Sequence, residues 1–523
     1  MKRYLVNIAI AMIAATACTD LEEKVYDKLP YDQFGSTLEE MYSIIGPAYK
    51  TLKYTASYDQ LWGWDNLTSD MLIAPTRIGG DWWDGGVYME QTNHHWNVDN
   101  WVIPGLWNPC MSGITTVNSI ISLVEPNELM EPDQKLQVLG ELRGLRAYWY
   151  YVLCDWFGNV PIVTDFNDTS LPTNRTRKEV FDFVVSELND IIPYLREDVT
   201  SQSYGKFTKG AALTLLAKMY LNAEVWTGVA NWQGVIDACD GVMELDYIIE
   251  PDWSTNFAVH NEVSREAILP ACFSDQDDWG DMYNAIHYYT LHYLDPIALG
   301  FSGDTWNGVS AQTAFVNSFS DDDRRKEATF LTGPMIDPAT GEVLQTGTAG
   351  HPLIHGIEYH IVPGTEGGPG KAYPEGWGEV FQEDGARIQK WEFQKGMQNS
   401  FMENDIHIFR LADVYLMKAE ALVRQGSNMG EALRLVNIIR ERGFGNSDHN
   451  LTALTLEDIY NERRFELAFE FGGRQDMIRF GTFTQPNEWK PWVTEEYRKI
   501  LPIPLDAWRK NNNLVQNPGY PAF

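Results

Sequence analysis

The stretch that most constrains this chain is 137–163, QVLGELRGLRAYWYYVLCDWFGNVPIV. Leu139, Leu142, Leu145 and the Tyr148/Trp149 pair recur at three- and four-residue steps, which makes one apolar helix face. Phe157-Gly158-Asn159-Val160-Pro161 then stops the helix, with Gly at the end and Pro close behind. Arg143 and Arg146, three apart, share a face. A helix this aromatic cannot stay on the surface. It has to be covered on two sides, so a mainly α fold is expected, with other helices packed around this one.

Further helices are read at 37–52, capped by Ser36 or Thr37 with a Glu three residues after each, at 106–124 and at 176–195. The 208–224 segment, TKGAALTLLAKMYLNAE, has 232–243 as its partner; small residues at close spacing followed by Tyr220 resemble a tetratricopeptide helix pair. A second pair is expected at 409–424 and 429–442, and a last helix at 456–471, ended by Gly472-Gly473-Arg474-Gln475-Asp476. Two regions break the pattern. From 58 to 107, Trp62, Trp64, Trp82, Trp83, Trp96, Trp101 and Trp107 alternate with Gly79-Gly80 and Gly85-Gly86, which reads as long ordered loops. From 252 to 403 the chain is rich in Gly, Pro, Asp and aromatics, and a structureless insert of that size in a helical protein is usually functional.

Met1-Lys2-Arg3, an apolar run over 4–15 and Ala15-Thr16-Ala17 before Cys18 make residues 1–17 a lipoprotein signal peptide, too short to span a bilayer. The mature chain then starts at a lipidated Cys18; the other reading is an ordinary signal peptide cut after Ala17. Acyl chains contribute about 0.8 kcal/mol per buried CH₂ to anchoring. Residues 18–523 read as one domain, with a helical scaffold over about 36–56, 106–250 and 404–480 and a loop-rich lobe over about 57–105 and 251–403.

A net charge of −33 all but excludes nucleic acid, whose phosphates need Lys and Arg, and argues against docking on anionic lipid through protein charge. It suits an uncharged ligand. Cys110, Cys154, Cys239 and Cys272 are too scattered for a disulfide framework or a zinc site and read as small buried hydrophobes. No metal site or cofactor is expected: adjacent His94-His95 point apart, Pro352 and Gly356 break the helix that His351 and His355 would need, and Gly370-Lys371 lacks the rest of a phosphate loop. Asp321-Asp322-Asp323-Arg324-Arg325 reads as a solvated turn or an ion-pair knot. No nucleophile elbow, zinc helix or triad order is visible, so no catalytic residue is assigned and a non-enzyme is expected.

The aromatics carry the functional reading. With 19 Trp and 25 Tyr, some rings are core and others are free for binding. Asp81-Trp82-Trp83-Asp84-Gly85-Gly86 puts two indoles in a glycine-flanked loop with carboxylates that resist burial. An indole face suits the C–H side of a pyranose, and Asp oxygens suit its hydroxyls. Burying about 100 Å² of such a face at roughly 25 cal/mol/Å² yields about 2.5 kcal/mol before ordering costs, so several rings are needed. A second aromatic cluster in the insert comprises Trp279, Tyr283, Tyr288, Tyr289, Tyr293 and Trp306, with Trp306 in a loop beside Asp304 and Asn307.

Gly140, Glu141, Arg143, Arg146, Ala147 and Tyr148, followed by Asp155, Phe157, Gly158, Val160 and Pro161, resemble the SusD/RagB family, outer-membrane lipoproteins of glycan-foraging Bacteroidetes. So do Arg410, Asp413, Tyr415, Ala419 and Glu420; Glu462, Arg463, Arg464 and Glu466; Gly473, Arg474, Asp476 and Arg479; and the 500–504 ILPIP stretch before Asn517-Pro518-Gly519-Tyr520. The resemblance implies a bundle of tetratricopeptide-like helix pairs packed against a large irregular lobe that carries a glycan site. It implies a lipid-anchored, surface-exposed outer-membrane protein that captures a polysaccharide or oligosaccharide for a TonB-dependent, SusC-like transporter, without cofactor or chemistry. It pairs Trp82 and Trp83 with one or more of Trp279, Tyr283, Tyr288, Tyr289, Tyr293 and Trp306, while Asp81 and Asp84 come from the make-up of the 81–86 loop. The Trp richness favours a flat platform, and with it a β-linked plant glucan. The rival readings are a tetratricopeptide-type protein–protein adaptor, whose loop tryptophans would be core so that Trp82→Ala would unfold the protein, and a glycoside hydrolase.

Overall fold

The computed structural model describes residues 37–277, 283–347, 350–366, 377–397 and 401–523. The 1–17 leader, Cys18, Trp279 and Gly370-Lys371 lie outside the described residues. The fold is mainly α. Helix Leu38–Lys50 opens on Thr37, whose hydroxyl accepts from Glu40 N at 3.2 Å while the Glu40 carboxylate accepts from Thr37 N at 3.3 Å, satisfying two free N–H groups at once.

Helices Ile103–Val124, Pro132–Trp156, Arg177–Ile191, Lys209–Leu221, Trp232–Met243 and Leu411–Gln425 follow, each packed on the next; Met429–Phe444 and Leu456–Glu466 both pack on Leu411–Gln425. This is the expected tetratricopeptide-like stack, in which each helix buries its apolar stripe against two neighbours. Glycine permits a close crossing of the Ile103–Val124 and Pro132–Trp156 helices: a Cβ on Gly113 would sit 2.2 Å from Trp149 Nε1. The Pro132–Trp156 helix is buried over almost all of its second half, as its aromatic content demanded.

Four sequence expectations need correction, and the first is Cys272, which is exposed, unlike the buried Cys110, Cys154 and Cys239. The last expected helix stops at Glu466, and the Gly-rich stretch after it starts another helix, Gly473–Phe480. Phe409 and Arg410 are not helical: they end strand Ile406–Arg410, which pairs antiparallel with Ala267–Ala271. The 58–107 region holds short helices, Leu61–Leu67 and Val87–Thr92, besides loops, and Trp62, Trp64 and Trp96 are core.

Bundle and lobe are joined by buried ion pairs. Arg410 donates to Glu266 at 2.5 Å and to Glu466 and Glu470 at 2.7 Å each; Arg442 reaches Glu266 and Glu466 at 2.5 Å; Arg325 reaches Asp323 and Glu462 at 2.7 Å. Burial alone would raise the Glu466 carboxyl, but Arg442, Arg410 and Arg325 outweigh it and hold its pKa well below the carboxylate range. Arg463 ties Asp413 to Asp476, Arg479 ties Glu420 to Asp476, and Arg474 reaches Asp155. Charges buried at this depth persist only when fully paired. The Asp323–Arg325 part of the acidic-basic run is thus an ion-pair knot. A further two-residue pairing, Leu72–Ile73 with Ser310–Ala311, joins the 58–107 loops to the insert and sets up the site.

Candidate functional site

From the Leu72–Ile73/Ser310–Ala311 pairing, the chain leads on one side into 76–86 and on the other back through 305–309. Arg77 locks the two together. It is 0% exposed, and its guanidinium donates to Asn307 O (3.1 Å), Gly308 O (3.1 Å), Ser310 Oγ (3.1 Å), Asp384 O (2.7 Å) and Phe381 O (3.2 Å). Three loops are therefore fixed by one side chain through neutral acceptors. Burial lowers the Arg77 pKa, and neighbouring Tyr359, Asp384 and Asp81 oppose that only in part.

A groove of about 430 Å³ lies over this clamp. Its floor is Trp82, 9% exposed, whose Nε1 donates to Trp306 O at 2.6 Å. The indole lies flat against Gly308, where a Cβ would stand 2.2 Å from the ring, and its centroid is 5.6 Å from Tyr58 and 5.3 Å from Tyr88. Trp306, partly exposed, continues the floor. The rim is open: Trp101 is 52% and Tyr293 44% exposed, and Trp83 is half-buried above Gly86, where a Cβ would meet its ring at 2.9 Å. Asp81 accepts from Trp82 N at 3.2 Å and from the Tyr293 hydroxyl, while Asp84 is exposed. Burial, and then the charge of Asp81, push the Asp84 pKa up.

The backbone around the groove is strained. Trp82, Asp84 and Asn307 have φ of 59°, 43° and 54°, a region costing a non-glycine residue roughly 1–2 kcal/mol. Such outliers persist where surrounding contacts over-determine them. The Trp82–Trp306 bond does so for Trp82 and the Arg77–Asn307 bond for Asn307.

The structure brings Asp81, Trp82, Trp83, Asp84 and Trp306 to one groove. Trp82 serves there as a supporting floor, not as a bare ring. Tyr288 and Tyr289 must be withdrawn as contacts: each is 1% exposed, because the short helix Ile286–Thr290 is covered on both sides. They form the layer behind Trp306, with ring centroids 5.5 and 5.7 Å from its own, and Tyr288 O accepts Trp306 N at 2.7 Å. Tyr283 stands beside the groove, stacked on Phe401 at 4.1 Å. Tyr293 of the insert cluster also lines the groove, as do Tyr58, Tyr88 and Trp101, none of which the sequence marks as a ligand contact. Only Trp101 carried a usable sign, an indole directly after Asp99-Asn100. The adaptor reading expects the loop tryptophans to be core: Trp82 is buried as that reading has it, while Trp101 is exposed.

A larger cavity, about 620 Å³, lies among the Ile103–Val124, Pro132–Trp156 and Arg177–Ile191 helices. Its Arg143 and Arg146 are spent on Glu187, at 2.7 and 2.5 Å, so its strongest donors are already taken. The aromatic groove presents the exposed Trp101 and Tyr293 rings and the exposed Asp84 carboxylate, and is the better candidate. Among the described residues no group of three metal-ligating side chains converges; His355 bonds Asp295 at 2.9 Å and His351 bonds Glu383 at 2.9 Å.

Two family models match, one described as "SusD family" over residues 265–520 and one as "Starch-binding associating with outer membrane" over 27–221. The chain is 26% identical over 425 residues to the starch-binding protein SusD of Bacteroides thetaiotaomicron, covering 76% of this chain and 75% of that protein. Surface glycan-binding protein A from Bacteroides fluxus superposes with a TM-score of 0.74 at 19% identity, over 93% of this chain and 100% of that one. Surface glycan-binding protein A from Bacteroides thetaiotaomicron, in complex with laminarihexaose, superposes with a TM-score of 0.72 at 18% identity, over 92% and 99%.

Proposed function

The chain belongs to the SusD/RagB family of glycan-binding proteins, and from that premise we propose that it is a cell-surface lipoprotein that captures a polysaccharide or oligosaccharide in the groove around Trp82 and Trp306. The observation that carries the reading is the groove itself: exposed Trp101 and Tyr293 rings and a half-buried Trp83 around an ordered aromatic floor, with a free carboxylate at Asp84. Sugar C–H faces stack on the rings, and Asp84 accepts a hydroxyl proton in a charge-assisted hydrogen bond. At about 2.5 kcal/mol gross per ring, three rings offset the ordering cost of a flexible chain. Capture needs no bond-making step. A β-linked glucan is the ligand class we favour; the laminarihexaose complex of a structural neighbour supports it. Lipidation at Cys18 and delivery to a TonB-dependent, SusC-like transporter complete the proposal; the outer-membrane description of the matching family model supports the location.

Affinity electrophoresis across a glycan panel tests this. One polysaccharide class should retard the wild type, and Trp101→Ala or Trp83→Ala should remove the retardation while circular dichroism stays unchanged. No retardation by any class, or full retardation of both variants, refutes the site. Reducing ends that accumulate with time would make the protein a hydrolase instead.

A further inference from the structure

Resting on that reading, we infer that the groove selects uncharged glycans and turns away acidic ones, and that Asp84 makes the choice. The charged groups lining it are Asp81 and Asp84. The cation beneath it, Arg77, is fully buried and spends its donors on four carbonyls and Ser310. No Lys or Arg lines the groove among the described residues. The field of Asp59 adds to this sign: with Asp84 it helps burial raise the Tyr88 hydroxyl.

The two lining carboxylates differ in what is left to them. Asp81 is taken up by Trp82 N and the Tyr293 hydroxyl. Asp84 makes no hydrogen bond or ion pair among the described residues, and it is exposed. Its backbone is held at φ 43°, followed by Gly85 and Gly86 at 75° and 85°. An acceptor kept free in a strained turn at the mouth of an aromatic groove rewards a hydroxyl. It repels a uronate or sulfate for the same reason. Two unit charges roughly 5 Å apart in a water-like dielectric repel enough to weaken binding about fourfold, and more where the groove excludes water. The discrimination therefore lies in one side chain and scales with ligand charge.

The test uses matched soluble derivatives with the full mature protein: laminarin against carboxymethyl laminarin, and hydroxyethyl cellulose against carboxymethyl cellulose, by affinity electrophoresis in low and high salt. Within the pair whose neutral member is retained, the carboxymethyl member should bind at least about fourfold more weakly at low salt, with the gap narrowing as salt screens the charges. Asp84→Asn, which tolerates the same backbone region, should shrink the gap at low salt and weaken the neutral ligand by less than tenfold. Equal retention of both members by wild type, or an unchanged gap in Asp84→Asn, overturns the charge selection and leaves the glycan reading standing. Retention of neither member of either pair, with no retention elsewhere in the panel, overturns both.

Discussion

Adding one methyl group at Gly308 should disable the groove without touching any exposed ring. Gly308 has no left-handed backbone requirement, so alanine is permitted there by conformation. What it lacks is room: the new Cβ would stand 2.2 Å from Trp82 Cε2 and Cζ2. The indole must retreat by about 1.2 Å to reach ordinary contact at 3.4 Å. Its bond to Trp306 O, now 2.6 Å, cannot survive a shift of that size away from the 305–309 loop. Overpacking costs about 1–3 kcal/mol and the lost buried hydrogen bond about 1 kcal/mol, so the lobe should lose about 2–4 kcal/mol locally while the helix bundle stays folded. Binding should fall about 10- to 100-fold, since both floor rings leave their places and one ring is worth about 2.5 kcal/mol gross. Isothermal titration with the retained glycan reads the affinity, and near-ultraviolet circular dichroism reads the displaced indole. A Gly308→Ala protein that binds like wild type with an unchanged near-ultraviolet spectrum would refute the claim that the Trp82–Trp306 floor sets the groove.

Trp82→Ala should cost about 3–5 kcal/mol, because a buried ring and its hydrogen bond are removed, whereas Trp101→Ala should stay within about 0.5 kcal/mol while losing affinity; equal denaturation midpoints would contradict the floor-and-rim division. Burial, and then the charge of Asp155, raise the Asp65 pKa to about 7, above its ordinary 3.8. Stability from that group is complete below about pH 4 and is lost as pH rises through about 7. Asn at 65 still accepts from Gly472 N and Gly473 N without the charge, so wild type should lose on the order of 1–3 kcal/mol more than Asp65→Asn between pH 5 and 8 in urea titrations; parallel profiles would refute it. Glu466→Gln strips a buried partner from Arg410, Arg442 and Arg325 and should cost about 3–5 kcal/mol in the denaturation midpoint; a loss below about 1 kcal/mol would show the network to be redundant.

Where apolar residues repeat at helical spacing, the chain announces its own fold. Helix Trp232–Met243 begins and ends where the pattern does, and Thr37 caps the first helix with Glu40 as its spacing implies. Helix Gly473–Phe480 was illegible for a physical reason: Arg474, Asp476 and Arg479 are buried on it as ion pairs, so hydrophobic periodicity sees only a charged segment after two glycines. The site divides in the same way. Composition marked the 81–86 loop, since two indoles beside carboxylates and glycines cannot make a simple core. Direction was not marked. Whether Tyr288 faces the groove or its backing depends on which layers cover Ile286–Thr290, and those come from residues far away in sequence. Trp101 and Tyr293 are rims only because the 76–86 and 305–309 loops meet between them.

The two kinds of buried cation in this protein explain how one fold can hold a changeable site. In the scaffold, Arg325, Arg410, Arg463 and Arg479 are matched to specific carboxylates, so altering one partner strands a charge and the positions are mutually fixed. Under the groove, Arg77 uses backbone carbonyls and one hydroxyl, acceptors that every sequence supplies at those positions except at Ser310. The loops are thus held by atoms that do not depend on which rings they carry. Trp83, Asp84, Trp101 and Tyr293 project from a frame that need not change when they do. Trp82 is the exception, since its indole is itself a bond in the frame. On the proposed reading, ligand choice lies in the rim and the free carboxylate, and the shape of the groove that holds a ligand lies beneath them, in Arg77, Gly308 and the Trp82–Trp306 contact.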